Sequence, residues 1–267
     1  MPAEGLIKRL VTALLAISAV AAVLFLTPRM AGAAFLGAIV LIGAWEWGGF
    51  LALPAGAKRV GYMLVVATGL TLAWWLAGDS PMPLMLLAAV WWVAAFIMVL
   101  RYPVSVPLPL VLLAGLLILV PGWLALAHLH VAYGPQWVMY FFVLIAAADS
   151  GAYFSGRAFG QTRLAPHVSP GKTWEGVIGG LLLVAVMAGA GAWWFGMPLV
   201  FMLSLGIAVA LISIVGDLTM SVFKRNAGLK DSGNLFPGHG GVLDRIDSMA
   251  AGAPLFLIGL GWSQQLT

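Results

Sequence analysis

The chain has 267 residues, 63% of them hydrophobic and only 8% charged, with a mean hydropathy of +1.05 and a formal net charge of +4. A water-soluble domain carries roughly a quarter charged residues, so a soluble fold is excluded and the chain must sit in a bilayer. Cysteine is absent, which excludes disulfides, thiolate nucleophiles and cysteine-held metals, and leaves oxygen or imidazole as ligands for any ion.

Spanning a bilayer takes about 20 apolar residues, with roughly 17 as the short limit. On that criterion the sequence predicts an all-α polytopic membrane protein of nine helices: Leu10 to Leu26, Ala31 to Leu53, Val60 to Leu76, Pro83 to Leu100, Leu108 to Ala127, Trp137 to Tyr153, Val177 to Phe195, Pro198 to Met220 and Ile246 to Trp262. Pro, Gly or charge stands at the breaks, as helix ends require. Residues 1–135 hold the first five helices, and residues 136–267 form a C-terminal region that carries the chemistry in a polar loop, residues 221–247. Lys8-Arg9, the apolar run and "AGA" at Ala31 to Ala33 also have the features of a secretory signal. The run is long for such a signal and a second span follows at once, so it is read as the first span.

Placing the amino terminus inside puts Lys8, Arg9, Lys58, Arg59, Arg101, Arg157, Arg163, Lys172, Lys224, Arg225, Lys230 and Arg245 on the inner side, and only Arg29 outside. Excess Lys and Arg marks the cytoplasmic side, so the expected topology is amino terminus in, carboxyl terminus out. Gly176 and Gly180, four apart in "EGVIGG", predict close helix packing. Pairs such as Trp74-Trp75 and Trp91-Trp92 are read as packing or interface anchors, and His128 and His130 as interfacial residues on the outer side.

Six of the nine acidic residues lie at or after Asp149, and on this topology Asp149, Glu175, Asp217, Asp231, Asp244 and Asp247 all face one aqueous compartment. Acids near a membrane are costly and point to a site. Asp217, Ser221 and Lys224 fall at i, i+4 and i+7, one polar stripe that needs a cavity or a polar partner. Asp244 suits the N-cap of the ninth helix. Asp244 and Asp247 also share a helix face, and with Asp217 they offer the hard oxygen ligands that Mg²⁺ prefers, so Asp217 and Asp244 are the candidate metal ligands. Between them, Gly228, Gly233, Gly238, Gly240 and Gly241 permit an anion-binding backbone, with Lys224, Arg225, Lys230, Arg245 and His239 as cationic or donor groups. Lys172 and Glu175 come from a second inner loop, "SPGKTWEG". Its "GKT" is not a nucleotide P-loop, since Pro166 stands where the first glycine belongs. Glu46, between Trp45 and Trp47, is read as a contact between helices in preference to a cavity residue.

The stretch "SVFKRNAGLKDSGNLFPGHGGVLDRID", Ser221 to Asp247, resembles the signature of the phosphatidate cytidylyltransferase (CDP-diacylglycerol synthase) family. Ser221, Lys224-Arg225, Lys230-Asp231, His239-Gly240-Gly241, Asp244-Arg245 and Asp247 fill its pattern without departure. "DSGAYFSGR" from Asp149 to Arg157 and "SPGKTWEG" are similar to further family segments, so the likeness covers roughly the second half of the chain. The resemblance implies transfer of the cytidylyl group of CTP to phosphatidate in a bacterial cytoplasmic membrane, a Mg²⁺-dependent site at Asp217 and Asp244 with room for a second ion, and a homodimer. Asp217, Asp244, Lys224, Lys230, His239 and Asp247 are then the expected catalytic residues. Lys172, Arg157, Ser221, Arg225, Asp231, Gly240, Gly241, Arg245 and Asp149 are the expected substrate contacts. Nucleic acid is not an expected partner. The rival from another class is a transporter of an anionic solute, which would need polar groups at the midplane and on both faces.

Overall fold

The structure is a computed structural model and describes residues 17–77, 80–233 and 240–263. Nine helices are seen among these residues: α1 (Ile17–Leu26), α2 (Arg29–Phe50), α3 (Ala57–Ala77), α4 (Met82–Leu100), α5 (Leu108–His128), α6 (Pro135–Phe159), α7 (Trp174–Phe195), α8 (Leu199–Asn226) and α9 (Leu243–Ser263). A π-helical turn, Leu129–Tyr133, prolongs α5. The eight helices from α2 onward are long and apolar enough to cross a membrane. The first expected span is described only from Ile17, and its residues 10–16 lie outside the described part.

Most boundaries fall within a few residues of the expected ones, and the exceptions are informative. Helix α6 runs to Phe159 and α8 to Asn226, six residues past the ends expected at Tyr153 and Met220. Those extensions carry Arg157, Lys224 and Arg225. A helix can outlast its apolar run when its polar turns face a cavity instead of lipid. The expected loop around "SPGKTWEG" is also ordered. Strand β1 (Arg163–Ala165) pairs antiparallel with β2 (Ser169–Thr173), Arg163 opposite Thr173 and Ala165 opposite Ser169. Thr173 then caps α7, its Oγ1 accepting from the Gly176 N–H at 3.1 Å. Both Glu175 oxygens accept from the Thr162 N–H, at 3.1 and 3.2 Å, which ties the hairpin to the helix it feeds.

Helices α5 and α9 are the most enclosed, with α2, α4, α6 and α8 packed around α9. Apolar side chains cover the outside as well: Leu64, Val65, Leu86, Val90, Val93, Leu182 and Val186 are all exposed, as a lipid-facing surface requires. Buried indoles fasten helices to one another. Trp47 Nε1–H donates to the Val111 carbonyl at 3.0 Å, and Trp123 Nε1–H donates to the Ala33 carbonyl at 2.9 Å. The seam between α6 and α7 is built on glycine, since a Cβ on Gly151 would lie 2.6 Å from the Gly179 carbonyl oxygen and one on Gly180 2.7 Å from that of Ala148.

Contacts between helix ends fix which termini share a side. Glu46, near the end of α2, meets Leu243 at the start of α9, and Asn226 at the end of α8 accepts from the Val106 N–H just before α5. At the other end, Arg29 donates to the Val131 carbonyl. Arg59, Arg101, Arg157, Lys172, Lys224 and Arg245 therefore gather at one end of the bundle and Arg29 at the other. His130 departs from its interfacial reading: it is fully buried, with its ring against Gly32, because the π-turn folds back onto α2.

Candidate active site

A cavity of about 610 Å³ opens at the cation-rich end, between α6, the hairpin, α7, α8 and α9. Each element delivers part of its lining. Helix α6 supplies Asp149 and Arg157, β2 supplies Lys172, α8 supplies Asp217 and Lys224, and α9 supplies Asp244, Arg245 and Asp247, with Asp231 from the segment after α8. Gly156, Gly176 and Gly180 of the glycine seam form part of the cavity wall.

Two ion pairs organise the polar floor. Lys172 Nζ lies 2.6 Å from Asp217 Oδ2, with both side chains about a quarter to a third exposed. The pair fastens the hairpin to α8. Lys224 Nζ lies 2.7 Å from Asp244 Oδ1, and here the side chains are only 12% and 10% exposed. The polar stripe on α8 is present too, with the Ser221 hydroxyl near Asp217 Oδ1 at 3.4 Å, a weak contact. Asp247 is buried and accepts from the Ser248 N–H at 2.7 Å.

Asp244 is not the N-cap expected for α9. Its Oδ2 accepts from the Ser232 N–H at 2.9 Å, the Ser232 hydroxyl at 2.9 Å and the Gly241 N–H at 3.0 Å, so it binds the preceding loop while Oδ1 binds Lys224. Helix α9 begins one residue before Asp244, which places that carboxylate inside the first turn. The start of α9 is capped instead from α2. Glu46 Oε1 accepts from the Val242 N–H at 3.0 Å, and Oε2 accepts from the Leu243 N–H at 2.8 Å. Reading Glu46 as a contact between helices was correct in kind but missed that its partner is the polar loop. Two glycines hold the only signal: a Cβ on Gly233 or Gly241 would lie 2.4 or 2.3 Å from the Glu46 carboxylate.

Of the expected catalytic and substrate-contact residues, nine line the cavity: Asp149, Arg157, Lys172, Asp217, Lys224, Asp231, Asp244, Arg245 and Asp247. Ser221 is buried beside Asp217. Gly240, at φ +77°, and Gly241 sit against the Asp244 carboxylate, where Gly240 could carry a side chain only by meeting Oδ2 at 2.6 Å. Arg225 and Lys230 are exposed and stand outside the lining, Arg225 donating to the Leu229 carbonyl at 3.4 Å. His239 and Gly238 lie outside the described residues.

The donor set suits a hard divalent ion. Five aspartates line the cavity beside four cationic side chains, and carboxylate oxygens are the ligands that a hard divalent ion takes. Among the described residues no three acids or imidazoles converge into a preformed cage. Mg²⁺ is held in general through one or two carboxylates together with waters and substrate phosphates; Asp217 and Asp244, the expected ligands, are each paired with a lysine here. A second, apolar groove of about 600 Å³ runs between α4, α7, α8 and α9, and shares Leu164, Val177 and Ile214 with the polar cavity.

A family model described as "Cytidylyltransferase family" matches residues 7–261. The phosphatidate cytidylyltransferase of Pseudomonas aeruginosa is 43% identical over 271 residues, covering 96% of this chain and 98% of that protein. The phosphatidate cytidylyltransferase of Haemophilus influenzae is 41% identical over 279 residues, covering 93% and 96%. Its namesake from Bacillus subtilis is 39% identical over 132 residues, about half of each chain.

Proposed function

Since this chain belongs to the cytidylyltransferase family, we propose that it transfers the cytidylyl group of CTP to phosphatidate, giving CDP-diacylglycerol and pyrophosphate. The observation that carries this reading is the continuity of the two hollows. A charged cavity for phosphates shares three wall residues with an apolar groove in the membrane-facing part of the bundle. A substrate with a phosphate head and acyl chains fits both at once; a water-soluble anion needs only the first.

In the reaction an ionised phosphate oxygen of phosphatidate attacks the α-phosphorus of CTP, a new P–O bond forms, and the bond to the β-phosphate bridging oxygen breaks to release pyrophosphate. The attacking oxygen is already deprotonated near neutral pH, so no strong general base is needed. The work of the protein is alignment and charge neutralisation. Lys172 and Lys224, each held by an aspartate at 2.6 and 2.7 Å, present ammonium groups at fixed places, and Arg157 and Arg245 add guanidinium groups to the same cavity. When bound at Asp217 and Asp244, Mg²⁺ supplies further neutralisation of the triphosphate.

The location follows from charge. Cations gathered at the site's end of the bundle support a cytoplasmic site in a bacterial cytoplasmic membrane. The family resemblance supports a homodimer, which cross-linking in native membranes would reveal as a doubled mass. A transporter is disfavoured because the polar groups collect at one end. The deciding assay for the activity is pyrophosphate release by purified protein: the proposal requires that release depend on both CTP and phosphatidate. Release from CTP alone, or none with both, would refute it.

A further inference from the structure

We infer that Glu46 is a positioning residue for this reaction, a clamp on α2 that holds the polar loop and the start of α9 in register and so places Asp244 and Lys224. The inference rests on the reading of the chain as a cytidylyltransferase and extends it to a residue of the first half, outside the segments that carry the family signature.

Glu46 is 4% exposed and does not line the cavity. Its carboxylate reaches both sides of the polar loop. On one side the Ser232 hydroxyl lies 3.1 Å from Oε2, and on the other the Val242 and Leu243 N–H groups donate at 3.0 and 2.8 Å. Those two N–H groups belong to the start of α9, where amides have no partner within the helix and the dipole favours negative charge. Among the described residues no ion pair reaches this buried carboxylate, and the two amides supply the compensation. The seat is closed by Gly233 and Gly241, one from each side of the loop, neither of which has room for a methyl group.

Ser232 couples this clamp to the site. Its hydroxyl lies 3.1 Å from Glu46 and 2.9 Å from Asp244 Oδ2, and with a single proton it donates to one carboxylate at a time. Its backbone N–H is fixed on Asp244 Oδ2 as well, and Asp244 in turn holds Lys224. Moving Glu46 thus moves Ser232 and the first turn of α9 together, and with them the carboxylate and ammonium that face the cavity. A carboxylate is required in this seat. In Glu46→Gln the amide nitrogen, itself a donor, must face a backbone N–H in either orientation, that of Val242 at one position or that of Leu243, with Ser232, at the other.

The test uses full-length protein in detergent or vesicles and compares the parent with Glu46→Gln, Gly233→Ala and the double variant. Glu46→Gln is expected to lower kcat at least about tenfold, with little change in KM for phosphatidate. Gly233→Ala, which displaces the same carboxylate without altering charge, should do likewise, and the double variant should be no worse than the poorer single one. Amide hydrogen exchange should rise in Glu46→Gln at Ser232, Val242 and Leu243 and stay unchanged in the second half of α9. Parental kcat in Glu46→Gln, multiplied losses in the double variant, or exchange raised along the whole of α9 would each overturn the inference. If Glu46→Gln does not fold, Gly233→Ala decides, and parental kcat in that folded variant overturns it. If the parent itself makes no CDP-lipid, the functional reading fails instead, and hydrogen exchange alone decides the clamp.

Discussion

Asp244→Asn separates a charge-bearing hub from a simple surface acid. The aspartate accepts from Lys224 through Oδ1 and from Ser232 and Gly241 through Oδ2, and its ion pair is only about a tenth exposed. An amide has one acceptor oxygen. Three of the four donors meet at Oδ2, so the oxygen goes there and the NH₂ group is left facing the Lys224 ammonium, donor against donor. Breaking one side of a buried pair costs about 3 to 5 kcal/mol, and the lower end applies to a pair at the edge of an open cavity. If Lys224 reaches the triphosphate only when Asp244 aims it, about 3 kcal/mol passes into the barrier and turnover falls roughly a hundredfold. The assay is the initial rate of lipid labelling from CTP at saturating substrates, scaled to monodisperse protein. Lys224→Gln in the same background should add little, because the two groups act as a unit. Turnover within about threefold of the parent, or losses that multiply in the double variant, would refute the hub.

The Lys172–Asp217 pair is more exposed, so Asp217→Asn should shift stability by less than about 1 kcal/mol while lowering turnover at least about a hundredfold; a thermal melt and the same rate assay separate the two. Gly151→Ala places a methyl group 2.6 Å from the Gly179 carbonyl oxygen and should cost about 1 to 3 kcal/mol, read as a lower melting temperature in detergent. Ala208→Trp fills the apolar groove away from the polar cavity, and should raise KM for long-chain phosphatidate about tenfold while leaving KM for CTP unchanged. Single cysteines at the exposed positions Thr162 and Ser80 of this cysteine-free chain should label from opposite sides of the membrane, and same-side labelling would contradict the topology.

The membrane architecture was legible because lipid imposes one requirement on every span, an apolar run of sufficient length, and eight such runs reappear as helices. The cavity residues were legible because the acids and bases of an oily chain have few places to go. What escaped reading depended on tertiary contact. The extensions of α6 and α8 pass beyond their apolar runs, and only the cavity beside them explains why helix continues through Arg157 and Lys224. The hairpin is too short to show alternation, with Pro170 and Gly171 in β2 weakening any strand signal. Glu46 lies almost two hundred positions from the amides it caps. An acid between two tryptophans carries no mark of that distant partner, and the glycines that make room for it, Gly233 and Gly241, read in sequence only as part of an anion-binding loop.

Labelling each end of the CTP triphosphate in turn tests the central claim most directly. Purified protein is given phosphatidate vesicles and CTP radiolabelled at either the α- or the γ-phosphorus, and products are partitioned between organic and aqueous phases. Cytidylyl transfer puts the α-label into the organic phase as CDP-diacylglycerol and leaves the γ-label wholly aqueous as pyrophosphate, in equal amounts. An α-label that stays aqueous, free or enclosed within the vesicles, would contradict it.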